Sequence, residues 1–305
     1  MDILTAFEQH LIDQDRSPLT VRGYVADIKR FATWFTQTNG ESFSLESVTP
    51  SDIREYRQHL QVTEQRKANT VNRKLAAIAA MMTWAENSGR IASNPSANIK
   101  LIRQEATAPK WLTKKEQFAL ERAIEKDLQL SKLRYPKRWL TRRRDASLTQ
   151  FMFNTGMRLS EISSLRLSDV QVAERSGKVL VRQGKGNKQR VVPLNADARK
   201  ALQEWLAVRP ETGSDFLWLA VEASAEEGLG PRALQRILKR YAEEAGLENL
   251  TPHVARHTFA KNLADQGVGL EKIASLLGHS NLNTTRIYLM PDERDLEQAV
   301  RKLEK

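Results

Sequence analysis

Residues 93–110 read SNPSANIKLIRQEATAPK, a stretch with two prolines and no sustained apolar period. Periodic sequence flanks it on both sides, and a proline-containing polar stretch of this kind interrupts cooperative packing. The chain is therefore expected to fold as two bodies, residues 1–92 and 111–290, joined by a linker over 93–110 and followed by a tail, 291–305. With 305 residues in all, each body is long enough to bury a core of its own.

The first body reads as helices. Ser17 and Pro18 supply an N-cap and a first-turn proline. Val21, Tyr24, Val25, Ile28, Phe31, Ala32 and Phe35 then recur at helical spacing until Asn39–Gly40. A short helix is expected from about Pro50 to Leu60. A longer one near Ala68–Asn87 carries Val71, Leu75, Ile78, Met82 and Ala85 on one stripe.

The second body is mixed. Helices are expected near 113–127, 145–155, 159–166, 195–208, 231–245, 252–266, 269–277 and 281–289. Between them KVLVRQ and QRVVPL flank GKGNK, two β-rich runs around a glycine turn, which is a hairpin signal. The fold class is mostly α with a small β component (α+β). The segment SKLRYPKRWLTRRR, residues 131–144, holds seven basic residues and a proline, and reads either as a loop facing nucleic acid or as a mobile solvated insertion.

Charge points to the partner. The net charge is +11, yet residues 1–105 carry 13 Lys and Arg against 12 Asp and Glu, while residues 106–305 carry 35 against 25. A basic body of this kind suits a polyanion, because neutralised phosphates release condensed counterions; basicity serving solubility alone is the alternative. There is no cysteine, hence no disulfide framework or thiolate metal site. No apolar run reaches membrane-spanning length and the amino terminus is unlike a secretory signal. A cytoplasmic location is expected, with no membrane partner.

TPHVARHTFA, residues 251–260, opens on a capping threonine and a first-turn proline, so His253 and Arg256 share a helix face. His253 and His257 also stand at i and i+4, the spacing of a helical zinc site. Val254 stands where a metalloprotease needs a glutamate, and Arg256 sets a fixed cation between the ligands, so zinc is disfavoured and no metal is expected. An imidazole beside a permanent guanidinium suits a phosphate far better. His257 points off that face and reads as structural.

In NTGMRLSEISSLRL, residues 154–167, Gly156 ends one helix and Leu159, Ile162 and Leu165 turn inward on the next. Arg158 is left at a helix amino terminus, where backbone N–H groups favour anions. Glu161, one turn on, can hold its guanidinium; a surface arginine paired with that glutamate fits the same residues. Lys185 lies between two glycines on a turn able to approach a ligand closely, although such turns are common and this one is not a P-loop. The chain shows neither a GxSxG elbow nor clustered acids for two-metal phosphoryl transfer. In GHSNLNTTRIYLM, residues 278–290, Gly278 ends a helix and lets His279 turn inward, and a short helix over Asn281–Ile287 leads to Tyr288.

Arg158, Lys185, His253, Arg256, His279 and Tyr288 together make a metal-free set suited to phosphoryl transfer. A tyrosine hydroxyl has a reference pKa of about 10 and needs activation to attack. Two arginines could hold both non-bridging oxygens of a phosphodiester, and a lysine and an imidazole could carry protons.

These six residues, within TGMRLSEISSLRLSD, the GKGNK hairpin followed by RVVPL, HVARHTFA and LLGHSNLNTTRIY, resemble the tyrosine recombinase (phage integrase) family. SPLTVRGYVADIKRFATWF and ANTVNRKLAAIAAMMTWA are similar to its helical core-binding domain. The resemblance covers nearly the whole chain and is nearest to compact Xer-like and transposon-borne members. It implies a C-shaped clamp on duplex DNA, with Tyr288 attacking the scissile phosphate to form a 3′-phosphotyrosyl link. Arg158 and Arg256 would clamp that phosphate, Lys185 would protonate the leaving 5′-oxygen, His253 would assist proton transfer at the tyrosine, and His279 would hydrogen-bond the phosphate. Glu161 would support them. No metal, ATP or other cofactor is implied.

The same resemblance implies a double-stranded recombination site as partner, a homotetramer on two synapsed sites (monomer or weak dimer when free), accessory DNA-bending proteins and a place on the nucleoid. Residues 291–305, with Leu296, Val300 and Leu303 on one stripe, would dock as a helix on a neighbouring protomer. Thr70, Arg73, Lys188 and Arg190 are candidate DNA contacts. Two other functions fit the scaffold: a non-catalytic site-specific DNA-binding regulator, and a relaxing enzyme like the type IB topoisomerases.

Overall fold

The computed structural model describes residues 2–103, 109–182, 189–221, 227–279, 281–289 and 300–301. The chain divides into two compact units, Met1–Thr107 and Ala108–Lys305. The described part is helical with one three-stranded antiparallel sheet, the α+β class expected. Among the described residues no helix is long and apolar enough to cross a membrane.

In the first unit, α1 (Ile3–Asp13), α2 (Pro18–Asn39), α3 (Pro50–Gln58) and α4 (Ala68–Asn87) enclose one apolar core. The Ser17 side chain accepts from the Thr20 N–H at 3.2 Å, and Gly40 ends α2 at a φ of 73°. Val21, Val25, Ile28, Phe31 and Phe35 of α2 are buried, as are Val71, Leu75, Ile78, Met82 and Ala85 of α4. Each such side chain contributes roughly 1.5–3 kcal/mol relative to exposure, which is why the 3.6-residue stripe places these helices so well.

In the second unit, Thr113 caps α5 (Lys114–Arg134) through a capping box with Glu116. A 3-10 turn over Pro136–Arg138 leads into α6 (Trp139–Thr155). Residues 131–144 are therefore not one loop or insertion: they finish one helix and begin the next, with 132–138 exposed between. Three of their arginines are tied into the protein. Arg142 pairs with Asp127 at 3.6 Å, Arg143 with Glu204 at 2.7 Å, and buried Arg144 donates to Asp145 and to the Leu219 carbonyl. Charge density alone does not distinguish a solvated loop from a helix whose arginines meet carboxylates that are distant in sequence.

After α7 (Leu159–Ser163) come β1 (Val170–Val172), β2 (Gly177–Val181) and β3 (Arg190–Pro193), ordered β1-β2-β3 with both pairs antiparallel. The register sets Val179 opposite Val192 and Val181 opposite Arg190, so β3 carries Arg190 to the edge of the site. Strand β1 is three residues long, too short for alternation to announce it. Helices α8 (Ala196–Leu206) and α9 (Pro231–Ala245) complete the core around Phe151, Trp205 and Trp218. Then α10 (Pro252–Asp265), α11 (Leu270–Leu277) and α12 (Asn283–Arg286) close a satellite cluster of Ala260, Ile273, Leu277 and Tyr288.

Candidate active site

The site forms where the α6–α7 junction, the start of β3, α10 and the end of α11 meet. Gly156 ends α6 at a φ of 58°, and a methyl placed there would lie 2.3 Å from the Phe259 ring. Only glycine lets the junction sit so close to α10. The chain then turns Arg158 to the first position before α7. Its backbone N–H donates to Glu161 Oε2 at 2.8 Å, its Nη1 to Glu161 Oε1 at 2.9 Å, and its Nη2 to the Gly278 carbonyl at 2.8 Å.

Glu161 is almost fully buried and holds a second guanidinium. Arg190 donates Nη1 and Nη2 to its two oxygens at 2.8 and 2.7 Å, and its Nε to the Leu276 carbonyl at 3.0 Å. Burial pushes the Glu161 carboxyl up, but the hydrogen bonds from Arg190 and the Arg158 backbone, the Arg190 charge and the Arg158 side-chain bond hold it below its ordinary value. Arg190 is thus turned inward as a partner of Glu161, whereas the sequence offered it as a DNA contact.

Arg256 is buried. It donates to the Gly156 carbonyl at 2.8 Å and to the Leu277 carbonyl at 2.6 Å, which ties α10 to both helix ends. Burial, reinforced by the neighbouring Arg158, draws its guanidinium down to about 10, still cationic at neutral pH. Two guanidiniums thus contact one carboxylate while Arg256 lies near it, and the surplus of positive charge suits an anion.

Gly278 has a φ of 67°, and a methyl there would meet Arg190 Nη1 at 2.9 Å. The turn it makes brings His279 round, and His279 Nδ1 lies 2.8 Å from Thr285 Oγ1. Burial, then the charges of Arg256 and Arg158, push this imidazole down to about 4, so it is neutral at pH 7. His253 is exposed in the first turn of α10, which Thr251 caps at 3.2 Å to the Val254 N–H.

Tyr288 is 1% exposed, and its ring closes the satellite cluster. Burial raises the phenol above its ordinary pKa, and the Arg256 charge opposes that rise. The hydroxyl lies 2.6 Å from His257 Nδ1, with ring centroids 5.5 Å apart. The expectation that His257 points away from the site is therefore corrected. No sequence signal announces this contact, because the chain between α11 and Tyr288 turns back onto α10. The described turn also differs from the expected single helix over Asn281–Ile287: α12 spans Asn283–Arg286 and a 3-10 turn, Ile287–Leu289, carries the tyrosine.

Of the expected set, the structure brings together Arg158 and Glu161 at the start of α7, Arg256 on α10, His279 after α11 and Tyr288 on the 3-10 turn, with His253 one turn along α10. Lys185 and Lys188 lie outside the described residues. In the first unit, Thr70 is half-buried on the first turn of α4. Arg73 and Lys74 both pair with buried Asp27, Lys74 at 3.0 Å, while about half of the Arg73 side chain stays exposed. Among the described residues no three His, Cys, Asp or Glu side chains stand close enough to hold a metal ion. One surface escaped the sequence reading. Helix α9 turns Leu234, Ile237, Leu238 and Tyr241 inward and leaves Arg232, Gln235, Arg236 and Lys239 exposed on its outer face.

Comparison with known proteins agrees with this architecture. Residues 111–294 match the phage integrase family and residues 4–89 its N-terminal SAM-like domain. The chain is 31% identical to a tyrosine recombinase XerC of Corynebacterium glutamicum, over 98% of this chain and 91% of that protein. It is 30% identical to the XerC of Thermodesulfovibrio yellowstonii, over 98% and 95%. Among solved structures, a XerH site-specific recombinase bound to a palindromic difH substrate shares the fold at a TM-score of 0.74 and 24% identity, covering 96% of this chain and 82% of that one. The Tn1549 transposon integrase in complex with transposon right end DNA shares it at 0.71 and 18%, covering all of both chains. Matched along both units, the chain belongs to the phage integrase family of tyrosine recombinases.

Proposed function

We propose that this chain cleaves and rejoins duplex DNA at specific sites through a 3′-phosphotyrosyl link on Tyr288. Arg158 and Arg256 hold the scissile phosphate, Lys185 protonates the leaving 5′-oxygen, His253 assists proton transfer, and His279 hydrogen-bonds the phosphate as a neutral imidazole. Glu161 is a positioning residue: it fixes Arg158 and, through Arg190, the end of α11. The observation that carries the reading is the meeting of Arg158, Arg256 and His279 around the Leu277–Gly278 turn, with Tyr288 packed on the same helix as Arg256. Because Tyr288 is buried, its turn must shift outward before the hydroxyl can meet a phosphate.

Duplex DNA fits the positive surplus of the second unit and the exposed basic face of α9. The working assembly is a tetramer on two paired sites on the nucleoid, helped by DNA-bending proteins, in which residues 1–92 bind the core of the site and residues 111–290 perform the chemistry. Within the tail stripe, Val300 is exposed, as a group awaiting a neighbouring protomer would be.

The test is a nicked duplex that traps the cleaved strand, carrying a site selected by binding from random sequence. The native chain should form a covalent adduct, and Tyr288→Phe should bind equally and form none. Arg256→Ala should slow adduct formation by roughly 10²–10³. An adduct that persists in Tyr288→Phe would refute the assignment.

A further inference from the structure

We infer that a cleft between the first turn of α6 and the edge of α9 holds a backbone phosphate of duplex DNA, gripped by Arg138 from one helix and Arg236 from the other. The inference rests on the function proposed above and adds a DNA-holding site that lies outside the catalytic constellation. The cleft has a volume of about 390 Å³. Arg138, Arg142 and Arg144 line it from the start of α6, and Arg236 and Arg240 from α9, over an apolar wall that includes Leu229, Ala233 and Ile237.

Carboxylates already match three of the five arginines. Arg144 donates Nε and Nη2 to Asp145 Oδ1 at 3.0 and 2.7 Å, and both residues are almost fully buried. Arg240 reaches Asp145 Oδ2 at 3.0 Å, Asp127 Oδ2 at 2.9 Å and Glu244 Oε1 at 3.3 Å, while Arg142 stands 3.6 Å from Asp127 Oδ1. Three arginines against three carboxylates make a neutral, fixed base for the cleft. Arg138 and Arg236 are exposed, and neither has a carboxylate partner among the described residues. Two unmatched guanidiniums facing one opening from different helices suit a phosphate, whose oxygens accept from planar donors on both sides. No side chain caps the amino end of α6, so its backbone N–H groups and dipole attract the same anion.

The surroundings favour a strand over a lone ion. Arg232 and Arg236 stand one turn apart on α9, about 6 Å along its axis. That is roughly two phosphate steps of a strand at about 3.4 Å each, so the cleft continues the basic outer face of α9. On its other side the exposed corner between α5 and α6 adds Lys132, Arg134 and Lys137, with Tyr135 57% exposed among them. Lysine, arginine and tyrosine side chains are the usual partners of phosphate and sugar. A single ion needs one such group of donors, whereas this strip runs from α9 across the cleft to the corner. Contacts to the backbone carry no sequence information. The cleft therefore sets the position of the second unit on the duplex and lengthens its footprint without reading bases.

The experiment is a salt titration of duplex binding by the full chain, on the selected site and on an unrelated duplex, with thermal unfolding read on every variant. Arg138→Gln alters an exposed side chain, so its melting should match the native chain. It should weaken binding to both duplexes alike, by roughly tenfold, and lower the slope of log affinity against log salt by about 1. At saturating protein its adduct formation on the nicked duplex should run at the native rate, since the cleft binds and does not react. If one phosphate lies between the two arginines, Arg138→Gln combined with Arg236→Gln should cost less than the product of the single losses. Arg122 is exposed on α5 and stacks on Phe118 at 4.8 Å, so Arg122→Gln removes the same charge away from the cleft and should leave the slope unchanged. Affinity within about twofold of native with an unchanged slope in Arg138→Gln overturns the inference, as does an equal fall in Arg122→Gln. So does stabilisation by millimolar ATP or inorganic phosphate that Arg138→Gln abolishes while duplex binding stays native, which would give the cleft to a small phosphoryl ligand. The recombinase reading is judged separately. With no adduct in Tyr288→Phe it survives a failed cleft, and adducts in Tyr288→Phe remove it while the salt slope still decides the cleft.

Discussion

Glu161 touches no phosphate in the proposed chemistry, yet its two oxygens hold two arginines and one backbone N–H. Replacing it with glutamine removes the carboxylate that pairs with both Arg158 and Arg190, and breaking such a buried pair costs about 3 kcal/mol. Denaturant unfolding of Glu161→Gln should show that loss, with adduct formation falling in parallel as Arg158 is released. The pH dependence has a definite sign. The folded carboxyl titrates below its unfolded value of about 4.3, so its contribution is complete above that value and is lost as pH falls toward the lowered one. His279 acts over a higher window. Its folded pKa of about 4 lies below the unfolded value of about 6.5, so the unfolded chain takes up the proton first and stability declines as pH falls between the two. Thermal unfolding from pH 7 to 4 should steepen in that window, and His279→Asn should flatten it.

At the scale of elements, two glycines let three helices share one site. Gly156→Ala sets a methyl against the Phe259 ring in a left-handed conformation, a combined cost of about 2–4 kcal/mol. Adding Phe259→Leu should return part of it, which a melting curve of the double variant would show. Gly278→Ala meets a guanidinium that can move, so it should cost less, about 1–2 kcal/mol, while displacing Arg190 from Glu161 and slowing cleavage more than stability suggests. Both glycines are visible in the sequence as helix stops. What they approach is not, because Phe259 and Arg190 lie far along the chain. The same limit explains the rest. Apolar period found α2, α4, α9 and α10 closely, since burial of one face is local information. Charge density left residues 131–144 as a loop or insertion, although three of their arginines bind Asp127, Glu204 and the Leu219 carbonyl. Helical spacing set His257 aside, because a hydrogen bond closed by a returning 3-10 turn leaves no spacing behind. Arg158, Arg256, His279 and Tyr288 were legible because their motifs fix both residue type and helix end.

Across the whole molecule, charge and hydrophobic surface separate binding from assembly. The positive surplus lies almost entirely in residues 106–305, and part of it is displayed by Arg232, Arg236 and Lys239 on the outer face of α9. If that face meets phosphates, duplex binding should weaken by roughly 10³–10⁵ between about 50 and 200 mM salt for 6–10 contacts. The Arg236→Ala change should then lower the slope of log affinity against log salt by about 1. A slope that is unchanged would move the contact elsewhere. The tail obeys different physics. Leu296, Val300 and Leu303 repeat at helical spacing, and Val300 is 62% exposed. If the tail docks on a second copy as proposed, an exposed apolar side chain such as Val300 would gain burial energy there. Apolar burial is little affected by salt over this range, whereas phosphate contacts are strongly affected, so the two can be told apart in one titration. Deleting residues 291–305 should leave the salt slope of single-site binding and adduct formation on one site near native, yet reduce the pairing of two sites. Sedimentation of the protein–DNA complexes would read that difference, and a truncated chain that still pairs sites at the native rate would show that the stripe has no neighbour to meet.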